Sequence, residues 1–228
     1  MNGYAIAIDG PVAAGKGTIA ALIAKKLHGF HLYTGAMYRG LTLYCLQHNI
    51  PVSDKEKVLV ALQTITFTLD NATTYMNGED ITERIKKRDV TQSVAKVAAI
   101  SQVRQEMVKR QRSIAKEKME KGFVVIAEAR DAATRILPDA FLKIYLTATP
   151  EVRAKRRYEQ MGGKQNTGIS FEQMLKDTKE RDYRDTHREA DPLVLEPEKY
   201  GYFVLDDSNL SEEETVEKIL KEIERRKQ

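Results

Sequence analysis

One segment near the start of the chain reads Ala5-Ile6-Ala7-Ile8-Asp9-Gly10-Pro11-Val12-Ala13-Ala14-Gly15-Lys16-Gly17-Thr18. Its apolar first part contains β-branched residues and predicts a buried strand. A glycine loop follows directly, and then a helical pattern in which one face carries Ile19, Leu22, Ile23 and Leu27. Strand, glycine loop and helix in this order are typical of a phosphate-binding loop, where backbone N–H groups and the helix N-terminus surround a phosphate. The segment therefore predicts a site for a nucleoside triphosphate.

Two positions within this loop define its type. Lys16 is placed to reach the β- and γ-phosphates of a bound nucleotide. Gly17 occupies the position where Ser or Thr usually stands, and the hydroxyl comes one residue later, at Thr18. The residues that we predict to hold the triphosphate are Gly10, Pro11, Val12, Ala13, Ala14, Gly15, Lys16, Gly17 and Thr18.

The composition narrows the class of protein only in part. Of the 228 residues, 42% are hydrophobic and 31% are charged, which is enough apolar material for the core of one domain. No apolar run approaches the roughly 18 residues of a membrane span, so we expect a cytoplasmic protein that does not contact the membrane. The net charge of +4 suits an anionic small molecule as well as nucleic acid and decides nothing by itself. Cys45 is the only cysteine, and its apolar helical surroundings favour a buried structural thiol.

Strands alternate with helices along most of the chain, which predicts a mostly parallel sheet with helices on both faces. The predicted strands of this sheet are residues 5–8, 30–33, 123–127, 142–146 and 202–206. A β-hairpin formed by residues 64–69 and 73–76 is predicted between helices. A polar, glycine-rich segment at residues 161–168 has the composition of a mobile lid.

Helix boundaries are marked by capping residues and by one change of register. Cap signals begin the helices that follow Ser53, Thr149, Ser170 and Ser211. The apolar face changes register near Ile100-Ser101, which predicts a break between two helices.

Arginine placement is the second strong signal. Arg153, Arg156 and Arg157 share one helix face, and so do Arg181, Arg184, Asp185 and Arg188. A solvated face is the ordinary interpretation of such spacing. The use of arginine beside a phosphate loop favours anion binding instead, because the guanidinium group recognises phosphate in a bidentate manner.

Metal binding by a direct protein cage is not predicted. The four histidines, His28, His31, His48 and His187, show no ligand spacing with one another or with Cys45. Glu128, which ends a predicted strand, either orients a magnesium shell through water or pairs with Arg130, and the two interpretations are evenly matched. Thr18 is the other residue that we expect near the magnesium ion carried by the nucleotide.

Taken in order, these motifs resemble the nucleoside monophosphate kinases, and among them the bacterial cytidylate kinases. Gly15-Lys16-Gly17-Thr18 is similar to the phosphate loop of adenylate kinases, and Thr34-Gly35-Ala36-Met37-Tyr38-Arg39 resembles an acceptor motif of the family. The hairpin that ends in Asn77-Gly78-Glu79-Asp80 resembles the insertion of cytidylate kinases. Residues 97–104, Ala129-Arg130-Asp131 and residues 180–185 continue the match over nearly the whole chain.

The resemblance implies a three-layer α/β phosphate-loop kinase fold in one domain. Its five-stranded sheet would carry a β-hairpin insertion that binds the monophosphate, at about residues 36–105, and a short lid at about residues 158–170. It also implies Mg²⁺-dependent transfer of the γ-phosphoryl group of ATP to CMP or dCMP by a monomer that binds small nucleotides and no nucleic acid.

The resemblance also assigns residues to roles. Lys16, Arg130, Arg153 and Arg157 would be catalytic, with Arg153 and Arg157 closing on the donor phosphates. The substrate-binding residues would be Thr34, Arg39, Arg104, Arg130, Asp131, Arg181, Asp185 and Arg188. Within this set Arg104 and Asp131 would read the cytosine base, and Arg39 and Arg130 would grip the acceptor phosphate. The chain departs from the family pattern at Ala95 and Ala129, which stand where many members have serine and glycine.

Parts of the sequence are also compatible with other functions. The nearest is a kinase of the same architecture with another acceptor, such as UMP or AMP. A regulatory GTPase is disfavoured because neither Asn-Lys-x-Asp nor Asp-x-x-Gly occurs in the chain. A nucleic-acid binder is suggested only by the basic charge, without interleaved aromatic residues or a recognised module.

Overall fold

A computed structural model of the protein describes residues 3–71, 73–187 and 192–228. The helices and strands follow one another in the order β1 (Ala5–Asp9), α1 (Lys16–Lys26), β2 (Phe30–Tyr33), α2 (Thr34–Gln47), α3 (Lys55–Gln63), β3 (Phe67–Asp70), β4 (Thr73–Met76), β5 (Glu79–Asp80), α4 (Arg88–Ala98), α5 (Ser101–Glu120), β6 (Val125–Glu128), β7 (Leu142–Thr147), α6 (Pro150–Gln160), α7 (Gly163–Thr167), α8 (Phe171–His187), β8 (Phe203–Asp206) and α9 (Glu212–Lys227).

The central strand of the main sheet is β1. Within the described ranges the five strands lie in the order β2-β6-β1-β7-β8. Each neighbouring pair is parallel, with β6 and β7 on the two sides of β1. The predicted parallel sheet is confirmed. Because the strands run the same way, their carboxyl ends meet along one edge, where ligands of such sheets bind.

Helices cover both faces of this sheet. Successive side chains of β1 point to opposite faces, and they are buried on each. Ala5 and Ala7 face a core shared with α2 and α5, and Ile6 and Ile8 face a second core shared with α1 and α9. Ile19 and Ile23 of α1 are both fully buried in that second core. The predicted three-layer arrangement is therefore confirmed.

The insertion contains more β-structure than the hairpin that the sequence predicts. Its strands form an antiparallel sheet in the order β3-β4-β5. The third strand follows Asn77 and Gly78, whose positive φ angles of 52° and 84° turn the chain back onto β4. The predicted first strand also begins too early. Thr66 donates its backbone N–H to the Asn77 side chain at 2.8 Å instead of to a strand neighbour, so β3 starts at Phe67.

The insertion shares a hydrophobic core with the main body. Leu69, Met76 and Ile81 belong to the same cluster of buried side chains as Leu32 of β2 and Met37 of α2. Apolar burial of this kind is the main stabilising term in a fold, so the small sheet is held against the large one by packing as well as by chain connectivity.

Most of the predicted helix boundaries are confirmed. The hydroxyl groups of Thr149, Ser170 and Ser211 accept backbone N–H bonds at the starts of α6, α8 and α9 respectively. The break near Ile100 is also present, because α4 ends at Ala98 and α5 begins at Ser101.

The predicted cap at Ser53 is wrong. Asp54 occupies the N-cap of α3, and its carboxylate accepts the N–H of Lys57 at 3.2 Å. Both residues have capping side chains, and the chain uses the one that lies a residue later.

The glycine-rich segment predicted at residues 161–168 is not without structure. It contains the short helix α7, and the flanking Gly162 and Gly168 adopt left-handed conformations with φ of +80° and +73°. Glycine takes this conformation without steric cost, so both ends of α7 turn sharply into the neighbouring helices.

In the described ranges, no helix combines the length and the apolar character needed to cross a bilayer.

Cys45 supplies a test of the packing of α2. The side chain is buried, and burial raises the pKa of its thiol to about 11. The thiolate is the reactive form, so we expect a disulfide reagent such as dithionitrobenzoate to leave the native protein unlabelled at mildly alkaline pH. The same reagent should label one thiol per chain in guanidinium. Rapid labelling of the native protein would contradict the buried position.

Candidate active site

The loop between β1 and α1 is shaped by two glycines. Gly10 has φ of +143°, and a Cβ atom at this position would come within 2.0 Å of the backbone oxygen of Leu146 on β7. Gly15 adopts the left-handed conformation, with φ of 77°, at the N-cap of α1. The loop therefore passes directly over the carboxyl end of the sheet, and the free N–H groups of the first turn of α1 face the same space.

Lys16 begins α1 and folds back over this loop. Its Nζ donates a hydrogen bond to the backbone oxygen of Pro11 at 2.7 Å, and only 8% of the residue is exposed. Burial lowers the pKa of Lys16, and the neighbouring Arg130 lowers it further, whereas Glu128 and Asp9 oppose the shift. Burial raises the pKa of the adjoining Glu128 carboxyl, which Lys16 and Arg130 counteract. Each member of this pair is therefore stabilised in its charged form by the other.

Further cations from several elements lie near Lys16 or near one another. Arg130 follows β6, Arg39 lies on α2, Arg157 on α6 and Arg181 on α8. Burial lowers the pKa of Arg181 to about 10, with a further contribution from Arg130 and a smaller one from Arg157. Burial also lowers the pKa of Arg157, and Arg39 adds to that shift. The site thus contains several positive charges that repel one another.

Three of these four arginines lack a carboxylate neighbour at ion-pair distance. In the part of the chain that the structure describes, none of Arg39, Arg157 and Arg181 forms a salt bridge, whereas Arg130 pairs with Asp185 through a 2.5 Å contact. Arg39 donates to the backbone oxygen of Ile85 at 3.0 Å and to Thr91 at 2.9 Å. An anion bound among these side chains would relieve their repulsion.

A buried ion pair forms a second feature of the site. Arg104 of α5 and Asp131, which follows β6, pair side chain to side chain, and the two residues are 7% and 6% exposed. Removing two charges from water is costly unless their polar atoms are well satisfied. The sequence interpretation placed these two residues together, and the structure does so across 27 positions of the chain.

Thr34 lies beside the end of β6. Its hydroxyl donates to the backbone oxygen of Glu128 at 2.7 Å, and Gln111 of α5 donates to the backbone oxygen of Thr34 at 3.3 Å. These bonds join the start of α2 to β6 and α5. Thr34 therefore lies at the same edge as the phosphate loop, where the sequence interpretation placed it. Arg188 falls outside the described residues.

Arg153 is placed differently from the sequence expectation. It is 3% exposed, and its Nε donates to the backbone oxygen of Ala148 at 2.8 Å. Its terminal nitrogens form two bonds with Asp182 of α8, at 2.9 and 2.6 Å, and one with the backbone oxygen of Val12 at 3.1 Å. The arginine face of α6, for which the sequence favoured anion binding, is thus divided, and Arg153 ties α6, α8 and the phosphate loop together.

Arg156 is also neutralised by the protein. It pairs with Asp207 at 2.9 Å and donates to the backbone oxygen of the same residue at 3.0 Å. Of the three arginines on α6, Arg157 alone joins the cation cluster described above. Neither Asp182 nor Asp207 was identified from the sequence, because an acidic residue in a charged helix or loop gives no local signal of its distant partner.

The donor set around the loop suits magnesium held by a nucleotide. The described residues contain no group of three or more His, Cys, Asp or Glu side chains that could hold a metal ion by themselves. Thr18 is exposed on the first turn of α1, and Glu128 ends β6 beside Lys16. Oxygen donors of this kind fit Mg²⁺, which binds through one or two protein oxygens together with substrate phosphates and water.

The family follows from comparison with known proteins. A family model described as cytidylate kinase matches residues 6–225. The chain belongs to the cytidylate kinase family. The cytidylate kinase of Caldanaerobacter subterraneus subsp. tengcongensis is 41% identical over 218 residues, which cover 96% of this chain and 93% of the relative. That of Clostridium acetobutylicum is 39% identical over 221 residues, covering 97% and 98%. The resemblance seen in the sequence is confirmed.

Solved structures of lower identity share the fold of this kinase-family chain. A crystal structure of a Thermus thermophilus protein gives a TM-score of 0.54 at 18% identity, covering 99% of this chain and 98% of that one. A crystal structure of an uncharacterized protein from Eubacterium ventriosum gives 0.52 at 12% identity, covering 97% and 98%. At these identities the likeness concerns the α/β architecture alone.

The Arg153–Asp182 pair can be tested by its effect on stability. Asp182→Ala leaves the buried Arg153 without its carboxylate, so we expect the free energy of unfolding to fall by about 3 kcal/mol, measured by urea denaturation. Glu151→Ala is the matched control, because Glu151 pairs with Lys179 across the same two helices with both side chains more than half exposed. Its loss should stay within about 1 kcal/mol. Equal losses in the two variants would contradict this account.

Proposed function

We propose that this chain transfers the γ-phosphoryl group of ATP to CMP or dCMP, giving ADP and CDP or dCDP. Membership of the cytidylate kinase family supports this activity. The observation that carries it within the structure is the buried Arg104–Asp131 pair beside a cluster of cations at the end of the sheet. The pair suits a cytosine ring, and the cations suit the phosphates of donor and acceptor.

The donor half of the site is the phosphate loop. Residues 10–18 surround the triphosphate with backbone N–H groups, and Lys16 exchanges its bond with the Pro11 oxygen for the β- and γ-phosphates. Arg157 completes this half, because no carboxylate of the described chain pairs with it and its pKa is lowered by burial. Arg153 acts as a positioning residue in this proposal, since its donors are taken up by Val12, Ala148 and Asp182.

Base recognition follows from hydrogen-bond complementarity. Cytosine presents an amino donor next to ring acceptors, so the Asp131 carboxylate accepts from the amine while Arg104 donates to the acceptors. Uracil carries a carbonyl oxygen in place of the amine. That oxygen would face a carboxylate without a hydrogen between them, an arrangement that costs about 1–3 kcal/mol for each polar group left unpaired.

The acceptor phosphate and sugar are assigned to the remaining residues. Arg39 and Arg130 bind the phosphate, and Thr34 lies at the edge where it arrives. Arg181 and Asp185 bind the sugar and nearby groups from α8. Arg188 keeps the same role as a sequence-based prediction.

Transfer requires alignment and charge neutralisation more than covalent chemistry. The cations bring the two anionic substrates together and stabilise charge on the moving phosphoryl group. Magnesium bound to the triphosphate would neutralise further charge there, and Thr18 and Glu128 would orient it. The segment at about residues 158–170 acts as a lid that excludes water, within a single domain whose insertion at about residues 36–105 carries the acceptor.

The protein is proposed to act as a cytoplasmic monomer. Its ligands are then the nucleotides ATP, CMP and dCMP, without a nucleic-acid or membrane partner. The composition and charge described above are compatible with this setting.

A panel of acceptors tests the activity. In a coupled assay with ATP and Mg²⁺, we expect kcat/KM for CMP and dCMP to exceed that for UMP and AMP by about 100-fold, because an uncompensated polar group in the site costs up to about 3 kcal/mol. Chelation of the metal should abolish turnover, and excess Mg²⁺ should restore it. Faster phosphorylation of UMP or AMP than of CMP would assign the chain to another acceptor.

Asp131→Asn tests the base-reading role directly. An amide can donate to the uracil carbonyl as well as accept from the cytosine amine, so we expect the ratio of kcat/KM for CMP to that for UMP to fall by about tenfold or more. Asp185→Asn, also at an ion-paired carboxylate of the site, should lower turnover on both substrates and leave this ratio near that of the native protein. An unchanged ratio in Asp131→Asn would remove this residue from base reading.

A further inference from the structure

The segment that carries Asp131 has an unusual cap. Asp131 occupies the N-cap of a short helical turn, Ala132–Ile136, yet its carboxylate makes no capping bond to that turn. It pairs with Arg104 instead. An aspartate at an N-cap normally accepts the free N–H groups of the turn that it begins. These groups must therefore find another acceptor.

Asp9 supplies that acceptor from the end of β1. Its Oδ1 accepts the N–H of Ala132 at 2.6 Å, and its Oδ2 accepts the N–H of Ala133 at 2.9 Å. Asp9 and both alanines are buried. A buried N–H group without an acceptor is costly, so the cap that Asp131 does not provide is supplied across 123 positions of the chain.

Tyr202 holds the Asp9 carboxylate in this position. Its hydroxyl donates to Oδ2 of Asp9 at 2.5 Å, and its ring meets the ring of Tyr145 edge-on with centroids 6.0 Å apart. Burial raises the pKa of the Tyr202 phenol, so the hydroxyl stays protonated and remains a donor. Asp9 thus receives three donors, which is the arrangement of an ionised carboxylate.

Repulsion between the Asp9 and Asp131 carboxylates also acts on the orientation of Asp131. The pKa of Asp9 is raised by burial and by repulsion from the nearby Asp131, and the three hydrogen bonds offset part of this rise. The same repulsion acts on Asp131 and favours its carboxylate on the side of Arg104. Asp9 therefore takes up the N–H of Ala133, which an Asp131 cap would otherwise accept, and its charge also repels the Asp131 carboxylate.

We propose that Asp9 is a positioning residue for base selection. It caps the turn that follows Asp131 in place of Asp131, and this keeps the Asp131 carboxylate turned towards Arg104 and the cytosine base. The inference rests on the base-reading role proposed above for Asp131. Tyr202 is part of the same arrangement, because it holds the Asp9 carboxylate that forms the cap. Asp9 itself touches no substrate in this proposal.

Asp9→Asn is the first variant of the test. The asparagine amide presents a donor to an N–H group or to the Tyr202 hydroxyl, so part of the cap is lost and Asp131 is drawn back towards its own turn. We expect the CMP-to-UMP ratio of kcat/KM to fall about tenfold, and KM for CMP to rise more than KM for ATP. A ratio equal to that of the native protein in a folded Asp9→Asn variant would overturn the proposal.

A double-mutant cycle decides whether Asp9 acts through Asp131. In an Asp131→Asn background, Asp9→Asn should change the ratio by no more than about twofold, because the group that it positions is gone. The same fall in both backgrounds would overturn the proposal. If Asp131→Asn alone left the ratio unchanged, the proposed base-reading role would fail first, so the two failures are distinguishable.

Two further variants separate positioning from loss of a buried carboxylate. Asp207→Asn makes the same change at a residue that is 3% exposed and paired with Arg156, and it should keep the ratio of the native protein. An equal fall in Asp207→Asn would overturn the proposal. Tyr202→Phe keeps the ring and removes only the donor, so it should lower the ratio severalfold even if Asp9→Asn does not fold. An unchanged ratio in Tyr202→Phe would then count against the proposal.

Discussion

Repulsion among cations at the carboxyl edge of the sheet is the constraint on which the rest of the site depends. Lys16, Arg39, Arg130, Arg157 and Arg181 come from different elements, and burial together with repulsion from neighbouring cations lowers the pKa of Lys16, Arg157 and Arg181. A protein can hold such a cluster only when its backbone is stabilised elsewhere. The two hydrophobic cores on the faces of the sheet supply that stabilisation, because they fix each element independently of the charges.

Carboxylates are distributed so that only part of this charge is neutralised. Asp182 and Asp207 neutralise Arg153 and Arg156, which then serve as ties between helices and loops. Asp185 holds Arg130, and Asp131 holds Arg104. Arg153 and Arg156 shape the site, and Arg39, Arg157 and Arg181, which form no salt bridge in the described ranges, leave a positive potential in it. The position of distant acidic partners therefore decides which arginines of α6 serve as structural ties.

This distinction explains what could be predicted from the sequence. The loop from Gly10 to Lys16, the alternation of strands and helices that implies a parallel sheet, and most helix caps are marked by residues close together in the chain, and these were predicted. The pairing of Arg104 with Asp131 was available only through the family resemblance. Arg153 was interpreted as a phosphate ligand because its partner Asp182 lies 29 positions away and leaves no periodic signal. The roles of Asp9 and Tyr202 depend on a contact across 193 positions. The third strand of the insertion was missed because a strand of two residues has no alternation to detect.

The pairing of β1 has a consequence for the order in which the site forms. β1 is the first strand made, but its neighbours are β6 and β7, which are registered to it through contacts such as Ala5 with Val125 and Ile6 with Leu142. Contacts between residues so far apart in sequence close slowly, because the intervening chain must lose its conformational freedom first. During synthesis the amino-terminal segment must wait for more than half of the chain before it has a strand to pair with. The nucleotide loop is therefore made well before the strands that give it its shape.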